Sequence, residues 1–289
     1  MQPLSAPEKK AVYIVNDFWL YRFMARCSLV TLRRHNPDLR VEVYHVRDGG
    51  ANNRDLGGLH TRVAKIPRMG ADEFHSVCSG LGVCMIEVTD LDMGDESGYT
   101  PAQRSCLQGV GGGRVMLLDA DTFVFGSLEP MFSLLDDYDF VADRNSFGER
   151  KTMDYRGQSI SPFNSGVVMW GDGWLARYAS EVQRYCCELK DGRHPMSRWL
   201  YENTSVGSKH PQGREELACS LFVLDNDLRF AYATKSQVQT ERYYGGCLVH
   251  HTLVQNWADA YAQLRGEVEE PAPQKRMPLR LVGRKPRFT

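Results

Sequence analysis

The chain has 289 residues, of which 42% are hydrophobic and 25% are charged, a composition that suits one large folded domain or two small ones. Its formal net charge is −1, from 35 basic and 36 acidic residues, so the charge gives no reason to expect nucleic acid as a partner. The eight cysteines form no Cys-x-x-Cys pair and lie mostly inside apolar runs, which predicts reduced thiols rather than disulfides. The sequence shows no signal-peptide pattern at its start and no run of about 18 apolar residues, so we expect a soluble cytoplasmic protein.

The first predicted elements are a strand, a helix and a second strand. Residues 11–15 form an apolar, β-rich run that ends at Asn16 and Asp17. Apolar residues then recur at three-four spacing over residues 20–35, and residues 41–46 alternate as a second strand. This order predicts a βαβ unit. No Gly-x-Gly-x-x-Gly follows the first strand, so we expect its end to hold a nucleoside through side chains instead.

The most informative segment is an apolar strand that ends in two acids. Residues 115–118 are four consecutive apolar residues, typical of a strand buried on both faces, and Asp119 and Asp121 follow. Because side chains alternate along an extended chain, the two carboxylates share a face, and two like charges this close require a cation. A divalent metal with oxygen ligands supplies one. The alternative is that the acids only cap the turn at the end of the strand.

Further polar residues stand near later strands. A short helix is predicted from residue 128 and a strand over residues 140–142. Asn164 and Ser165 are predicted to form a turn directly before another buried strand.

Two pairs of titratable residues follow in the last third of the chain. Glu215 and Glu216 are predicted to open a helix, where acids usually act only as partners of the helix dipole. His250 and His251 end one more apolar strand. A lone buried histidine is more often a hydrogen-bonded core residue than a ligand, but two at a strand end also suit a metal site.

Together these motifs resemble a GT-A-fold glycosyltransferase, closest to the glycogenin-like and lipopolysaccharide galactosyltransferase group (glycosyltransferase family 8). The resemblance covers residues 11–260, and its most specific pieces are Leu-Leu-Asp-Ala-Asp-Thr, followed by Gly-Ser-Leu, and Phe-Asn-Ser-Gly-Val. It implies an α/β protein with the GT-A fold, whose Rossmann-like central sheet is mixed, mostly parallel and flanked by helices.

The resemblance also implies a division of the chain. A single GT-A domain is expected at residues 11–265, with a nucleotide-binding half at 11–125 and an acceptor-binding half at 126–265. An N-terminal lead at residues 1–10 and a basic C-terminal tail at 266–289 flank it.

The resemblance assigns roles to individual residues. Asp119, Asp121 and His250, which is preferred by position over His251, would bind Mn²⁺ or Mg²⁺. The metal would bridge the diphosphate of a nucleotide-sugar. The residues implied to bind this donor are Asn16, Asp17, Tyr21, Arg104, Asp119, Ala120, Asp121, Asn164 and Ser165. Those implied to be catalytic are Asn164, Glu215 and Glu216. The family commonly carries Asp-Gln-Asp where this chain reads Arg214-Glu215-Glu216, which leaves retaining and inverting stereochemistry both open.

The implied function is transfer of a sugar from a nucleotide-diphosphate sugar, a UDP-sugar in this family, to a hydroxyl of a glycan or glycoconjugate acceptor. One alternative is a haloacid-dehalogenase-like phosphatase with Asp119 as its nucleophile, because Val-Met-Leu-Leu-Asp-Ala-Asp-Thr fits that motif too. That motif normally lies near the amino terminus, whereas about a hundred residues precede it here. Another alternative is a non-catalytic protein that binds sugar nucleotides or glycans with the same fold.

The basic tail has two interpretations. Its cations alternate with prolines and are Lys275, Arg276, Arg280, Arg284, Lys285 and Arg287. They would give weak, salt-sensitive peripheral contact with an anionic membrane, or they belong to a solvated chain end without a partner.

Overall fold

The structure is a computed structural model that describes residues 7–47, 66–89, 91, 99–144, 152–203, 211–240, 246–252 and 254–269. Most of the predicted basic tail, residues 270–289, lies outside the described residues. The described strands are β1 (Lys9–Asn16), β2 (Arg40–Val46), β3 (Cys84–Val88), β4 (Arg114–Leu118), β5 (Thr122–Val124), β6 (Phe140–Arg144), β7 (Met153–Tyr155), β8 (Gln158–Ile160), β9 (Phe163–Trp170), β10 (Phe230–Tyr232), β11 (Val238–Thr240) and β12 (Val249–His251). The described helices are α1 (Trp19–His35), α2 (Ala71–Gly80), α3 (Tyr99–Ser105), α4 (Glu129–Ser133), α5 (Trp174–Lys190), α6 (Ser197–Asn203), α7 (Pro211–Asp225) and α8 (Val254–Glu269).

The strands form one large sheet and two small ones. The large sheet has seven strands in the order β10-β6-β9-β4-β1-β2-β3. β2 and β3 are parallel, as are β10 and β6, whereas β6 and β9 are antiparallel. A three-stranded sheet has the order β11-β12-β5, and β7 pairs with β8. This mixed α/β architecture, with its large central sheet, confirms the predicted fold class.

Most predicted elements are present close to their expected bounds. β1, α1 and β2 form the predicted strand, helix and strand, and β4 ends at Leu118, directly before Asp119. α1 ends at His35, two residues before the helix-breaking Pro37. The residues that predicted α1 by their spacing are all buried in the structure: Leu20, Phe23, Met24, Cys27 and Val30.

Two predictions about local structure were wrong. Asn164 and Ser165 do not form a turn but lie inside β9, in which every residue is buried. The Asn164 side chain takes part in the strand locally, because its Oδ1 accepts a hydrogen bond from the Gly166 amide at 3.0 Å. Glu215 and Glu216 do not open their helix, since α7 begins one turn earlier, at Pro211. They are therefore too far along the helix to serve as N-terminal dipole partners.

Contacts between Cα atoms divide the chain into two compact units. Unit 1 comprises Met1–Lys10, Asp92–Met116 and Glu129–Ala233. Unit 2 comprises Ala11–Leu91, Leu117–Leu128 and Thr234–Thr289. The division at residue 125 expected from the sequence stays a prediction.

Each unit has its own aromatic core. In unit 1, α5 packs against α3 and α7, and Trp170 of β9 stacks on Tyr178 of α5 with ring centroids 5.1 Å apart. In unit 2, α1 packs against β5, α2 and α8, and Trp257 of α8 stacks on Phe123 of β5 at 6.0 Å. None of the described helices has the length and apolarity needed to cross a membrane.

Candidate functional site

Unit 2 brings two acids and a histidine together. Asp119 follows β4, and the Thr122 amide donates to the Asp119 carbonyl at 3.3 Å, closing a tight turn into β5. β12 pairs antiparallel with β5, which places His251 opposite Thr122. The Thr252 amide then donates to the Asp121 carbonyl at 2.9 Å. This pairing carries a histidine from late in the chain to the acids at the end of β4.

The three side chains converge at close range. His251 Nε2 lies 3.3 Å from Asp121 Oδ1 and 3.9 Å from Asp119 Oδ2. Their ligand atoms all lie within 4.8 Å of one another. Asp121 and His251 are buried, at 7% and 2% exposure. Burial raises the pKa of the Asp121 carboxyl, while the His251 ring beside it acts in the opposite direction.

The histidine beside the acids is His251, not the His250 preferred from the sequence. Neighbouring residues of a strand point to opposite faces, so only one of the two side chains can face Asp121. His250 points elsewhere, and its Nδ1 lies 3.1 Å from the Thr252 hydroxyl oxygen. The register of β12 against β5 therefore determines which of the two histidines faces the acids.

A chain of buried hydroxyl groups supports the acid-bearing turn. The Tyr13 hydroxyl lies 2.8 Å from Ser28 Oγ, which in turn lies 2.8 Å from Thr122 Oγ1. Thr122 Oγ1 donates to the Asp119 carbonyl at 2.9 Å. β1, α1 and β5 thus hold the backbone of Asp119 in place. These hydroxyls were not predicted from the sequence, in which a serine on the buried face of α1 is the only hint of them.

Asn16 and Tyr21, expected near a nucleoside, lie at the end of β1 and in the first turn of α1. Asn16 Oδ1 accepts a hydrogen bond from the Phe18 amide at 3.0 Å, which shapes the entry into the helix. Burial, and then the negative charges of Asp121 and Asp119, raise the pKa of the Tyr21 phenol to about 12. Tyr21 therefore stays a neutral hydroxyl, close enough to the two acids to sense their charge.

Asp17 is held by three cationic or titratable groups. Its Oδ1 lies 3.4 Å from Arg22 Nη1, 3.3 Å from Arg47 Nε and 3.3 Å from His45 Nε2. The Asp17 side chain is only 14% exposed. Asp17 directly follows β1 and therefore holds together side chains of α1 and of the end of β2.

Unit 1 gathers Arg104 and Glu215 in a buried ion pair. Arg104 Nε lies 3.5 Å from Glu215 Oε1, and Arg104 Nη2 donates to the Ser165 carbonyl at 3.2 Å. The Tyr178 hydroxyl donates to the same glutamate oxygen at 2.8 Å. Arg104 and Glu215 are 5% and 1% exposed. The arginine supplies the positive charge that a buried glutamate requires.

Asn164 and Glu216 form a second contact in unit 1. Asn164 Nδ2 donates to Glu216 Oε1 at 3.4 Å. The Ser220 hydroxyl donates to the Glu216 carbonyl at 3.0 Å and accepts from the Phe163 amide at 2.9 Å. Ser220 therefore ties α7 to the start of β9. Unit 1 thus brings together five of the residues predicted from the sequence, namely Arg104, Asn164, Ser165, Glu215 and Glu216.

The residues at the end of β4 fit a divalent cation. Two carboxylates and one imidazole are the oxygen-rich donor set that Mn²⁺ and Mg²⁺ accept. The Asp121 carboxylate is buried beside a second carboxylate, and an imidazole is charged only when it is protonated. A cation held among these groups would balance both acids.

Comparison with known proteins bears on the fold. No family model matches the chain, and no curated protein matches it significantly in sequence. Solved structures do match. The glycosyltransferase GlyE of Streptococcus pneumoniae TIGR4 has a TM-score of 0.50 at 14% identity, over 93% of this chain and 67% of GlyE.

LgtC, a galactosyltransferase solved with donor and acceptor sugar analogs, has a TM-score of 0.51 at 14% identity, over 90% of this chain and 96% of LgtC. An active-site mutant of LgtC has a TM-score of 0.53 at 15% identity, over 89% of this chain and 95% of that one. The chain therefore has the GT-A fold of these glycosyltransferases.

Proposed function

We propose that the protein is a metal-dependent glycosyltransferase. It transfers a sugar from a nucleotide-diphosphate sugar, with a UDP-sugar as the first donor to test, to a hydroxyl of a glycan or glycoconjugate acceptor. The observation that carries the proposal is the convergence of Asp119, Asp121 and His251 at the end of β4 in a chain with the GT-A fold. LgtC has the same fold and was solved with both donor and acceptor sugar analogs, which supports this choice of substrates.

The chemistry of the reaction matches this cluster. Breaking the bond between sugar and diphosphate builds negative charge on the leaving oxygen, and a bound Mn²⁺ or Mg²⁺ supplies the opposite charge. Asp119, Asp121 and His251 would hold the ion. Asp121 and His251 are buried and the Asp119 side chain is 28% exposed, so water is largely excluded from the two buried groups and the charge interactions there are strengthened. The Tyr13, Ser28 and Thr122 hydroxyls preorganise the turn that carries the acids.

The other predicted residues keep their proposed roles. Asn16, Tyr21 and the Ala120 backbone would contact the nucleotide. Asp17 would act on the nucleotide indirectly, by holding the side chains of Arg22, His45 and Arg47 in place. In unit 1, Asn164, Glu215 and Glu216 stay the proposed catalytic residues, with Arg104 and Ser165 as donor contacts.

Thermal shift measurements test the donor and the metal. UDP, GDP, CMP and dTDP are each added with Mn²⁺ and again with EDTA. A nucleotide at about a hundred times its dissociation constant adds roughly 2.7 kcal/mol, which raises Tm by several degrees for a chain of this size. We expect one nucleotide to produce a shift that EDTA removes.

Three variants locate the effect. Asp121→Asn and His251→Gln should lose the metal-dependent shift, because each removes a proposed ligand. His250→Gln is the matched control and should keep the shift, even if its starting Tm is lower. If no nucleotide shifts the wild type and the protein releases phosphate from p-nitrophenyl phosphate, the phosphatase with Asp119 as nucleophile replaces our proposal.

A further inference from the structure

A second cluster of metal-ligating side chains lies in unit 2, apart from the acids of β4 in sequence. His45 is on β2 and Glu87 on β3, and these parallel strands pair so that the two residues stand opposite each other. Side chains opposite one another on neighbouring strands point to the same face of the sheet. α2, which precedes β3 in the chain, contributes His75 to the same place.

The donor atoms of this cluster are close enough to share one ion. His45 Nδ1 lies 2.9 Å from His75 Nε2, and His75 Nε2 lies 3.8 Å from Glu87 Oε1. One ligand atom from each residue lies within 4.8 Å of the other two. In tetrahedral zinc coordination, with Zn–N bonds of about 2.0–2.1 Å, two nitrogen ligands stand roughly 3.3 Å apart. The two rings need to separate by only a few tenths of an ångström.

The other nitrogen of His45 faces a carboxylate. His45 Nε2 is 3.3 Å from Asp17 Oδ1, on the side of the ring away from His75. Histidines that ligate metals almost always direct their second ring nitrogen to a carboxylate, carbonyl or water, which sets the tautomer. A metal on Nδ1 would require the N–H on Nε2, which is the nitrogen beside the Asp17 carboxylate.

Burial and charge around the cluster are compatible with a cation. The His45 ring is fully buried, whereas the His75 and Glu87 side chains are partly exposed, so an ion could reach the cluster from that side. Arg47 Nη1 donates to Glu87 Oε1 at 3.1 Å and is the nearest competing cation. The Arg47 and Glu87 side chains are 41% and 46% exposed, so the guanidinium can move into water when a metal takes its place.

We propose that His45, His75 and Glu87 form a zinc site, with Asp17 orienting the His45 ring. Two imidazoles and one carboxylate are a donor set of zinc, whereas Mn²⁺ and Mg²⁺ take mainly oxygen ligands. Water completes the coordination on the side of the partly exposed His75 and Glu87. The site shares no ligand with the cluster of Asp119, Asp121 and His251, and it does not depend on the proposed transferase activity.

The test measures bound zinc in the full chain without a histidine tag. The background carries Asp119→Asn and Asp121→Asn, so that zinc cannot occupy the first cluster. After loading with zinc and dialysis against metal-free buffer, elemental analysis should find about one zinc ion per chain. Adding His75→Gln should remove it. Adding His35→Gln, in the last turn of α1, is the matched control and should leave zinc bound.

Cobalt spectroscopy gives a second readout. Co²⁺ should produce visible absorption typical of four-coordinate cobalt in the background protein, and Glu87→Gln should reduce that absorption. The circular dichroism of every variant confirms that the chain is folded. A folded background protein that retains no zinc overturns the proposal, and so does one that keeps its zinc after His75→Gln. Neither result bears on nucleotide binding, which is measured separately with the acids intact.

Discussion

At the scale of single residues, two buried acids of the predicted sites, Glu215 and Asp121, have different partners. Glu215 faces Arg104, whose guanidinium is charged at every physiological pH. Asp121 faces His251, whose imidazole is charged only when protonated, with a second carboxylate nearby. The glutamate is therefore balanced by the arginine, whereas the metal that we propose would balance the acids of unit 2. This difference is why we assign the metal to Asp119 and Asp121 and not to the glutamates of α7.

His194 should make stability depend on pH. Burial lowers its pKa, against the charges of Asp225 and Glu188 and together with that of Arg184. Because the folded pKa lies below the unfolded value of about 6.5, the unfolded chain takes up this proton first as the pH falls. The free energy of unfolding that the neutral His194 ring contributes is therefore fully present above about pH 6.5 and is lost as the pH falls from there through the folded pKa.

The measurement compares Tm between pH 7.5 and pH 5.5 in the wild type and in His194→Gln. We expect the wild type to lose more of its Tm over this range than the variant does. Equal losses in both proteins would contradict the assignment of a lowered pKa to His194.

At the scale of elements, the acid-bearing turn is held by hydroxyl groups from three directions. The Tyr13, Ser28 and Thr122 hydroxyls lie on β1, α1 and β5. This series of hydrogen bonds ends at the Asp119 carbonyl. Such supporting partners tune metal affinity although they never contact the metal.

Thr122→Val should therefore weaken metal binding beyond its effect on stability. Loss of the buried hydroxyl should cost about 1–3 kcal/mol of unfolding free energy. The Mn²⁺ concentration needed for a half-maximal nucleotide-dependent thermal shift should rise about tenfold or more.

The matched control is Thr31→Val. Thr31 Oγ1 is equally buried, donates to the Ser28 carbonyl at 2.9 Å and accepts from the Val124 amide at 3.1 Å. The control should lose comparable stability without a change in the Mn²⁺ requirement. A similar rise in both variants would mean that general destabilisation, not the position of Asp119, governs binding.

A helix or strand can be predicted from the sequence when residues within a few turns of it specify it. α1 follows from the spacing of its apolar residues and from Pro37, both of which act within a few turns. The position of Asn164 inside β9 does not follow from its local sequence, because polar residues normally favour turns before a strand. Inside β9, the contact of Asn164 with Glu216 on α7 and its bond to Gly166 satisfy the side chain. A contact between residues so distant in sequence leaves no local pattern.

At the scale of the whole molecule, the chain holds no disulfide among its eight cysteines, all of which lie in the part that the structure describes. Burial raises the pKa of most of these thiols, for example to about 12 for Cys78 and Cys106, so little reactive thiolate exists near neutral pH.

We therefore expect eight titratable thiols per chain after unfolding without reductant, as none of the eight cysteines forms a disulfide in the structure. The folded protein should react slowly with Ellman's reagent, and added reductant should leave Tm unchanged. A count below eight, or a Tm that falls with reductant, would reveal a disulfide that stabilises the fold, because removing one typically costs 2–5 kcal/mol.

The sequence alone predicts the α/β class, the βαβ opening and the buried strand that leads directly into Asp119 and Asp121. These follow from apolar spacing and local turn chemistry, which act over a few residues. Three features become visible only in the folded chain: His251 rather than His250 lies beside the acids, hydroxyls of β1 and α1 support them, and Glu215 pairs with Arg104. The tertiary structure also brings His45, His75 and Glu87 together. Each of these depends on strand register or on packing between distant segments, where a shift of one residue reverses the face on which a side chain lies.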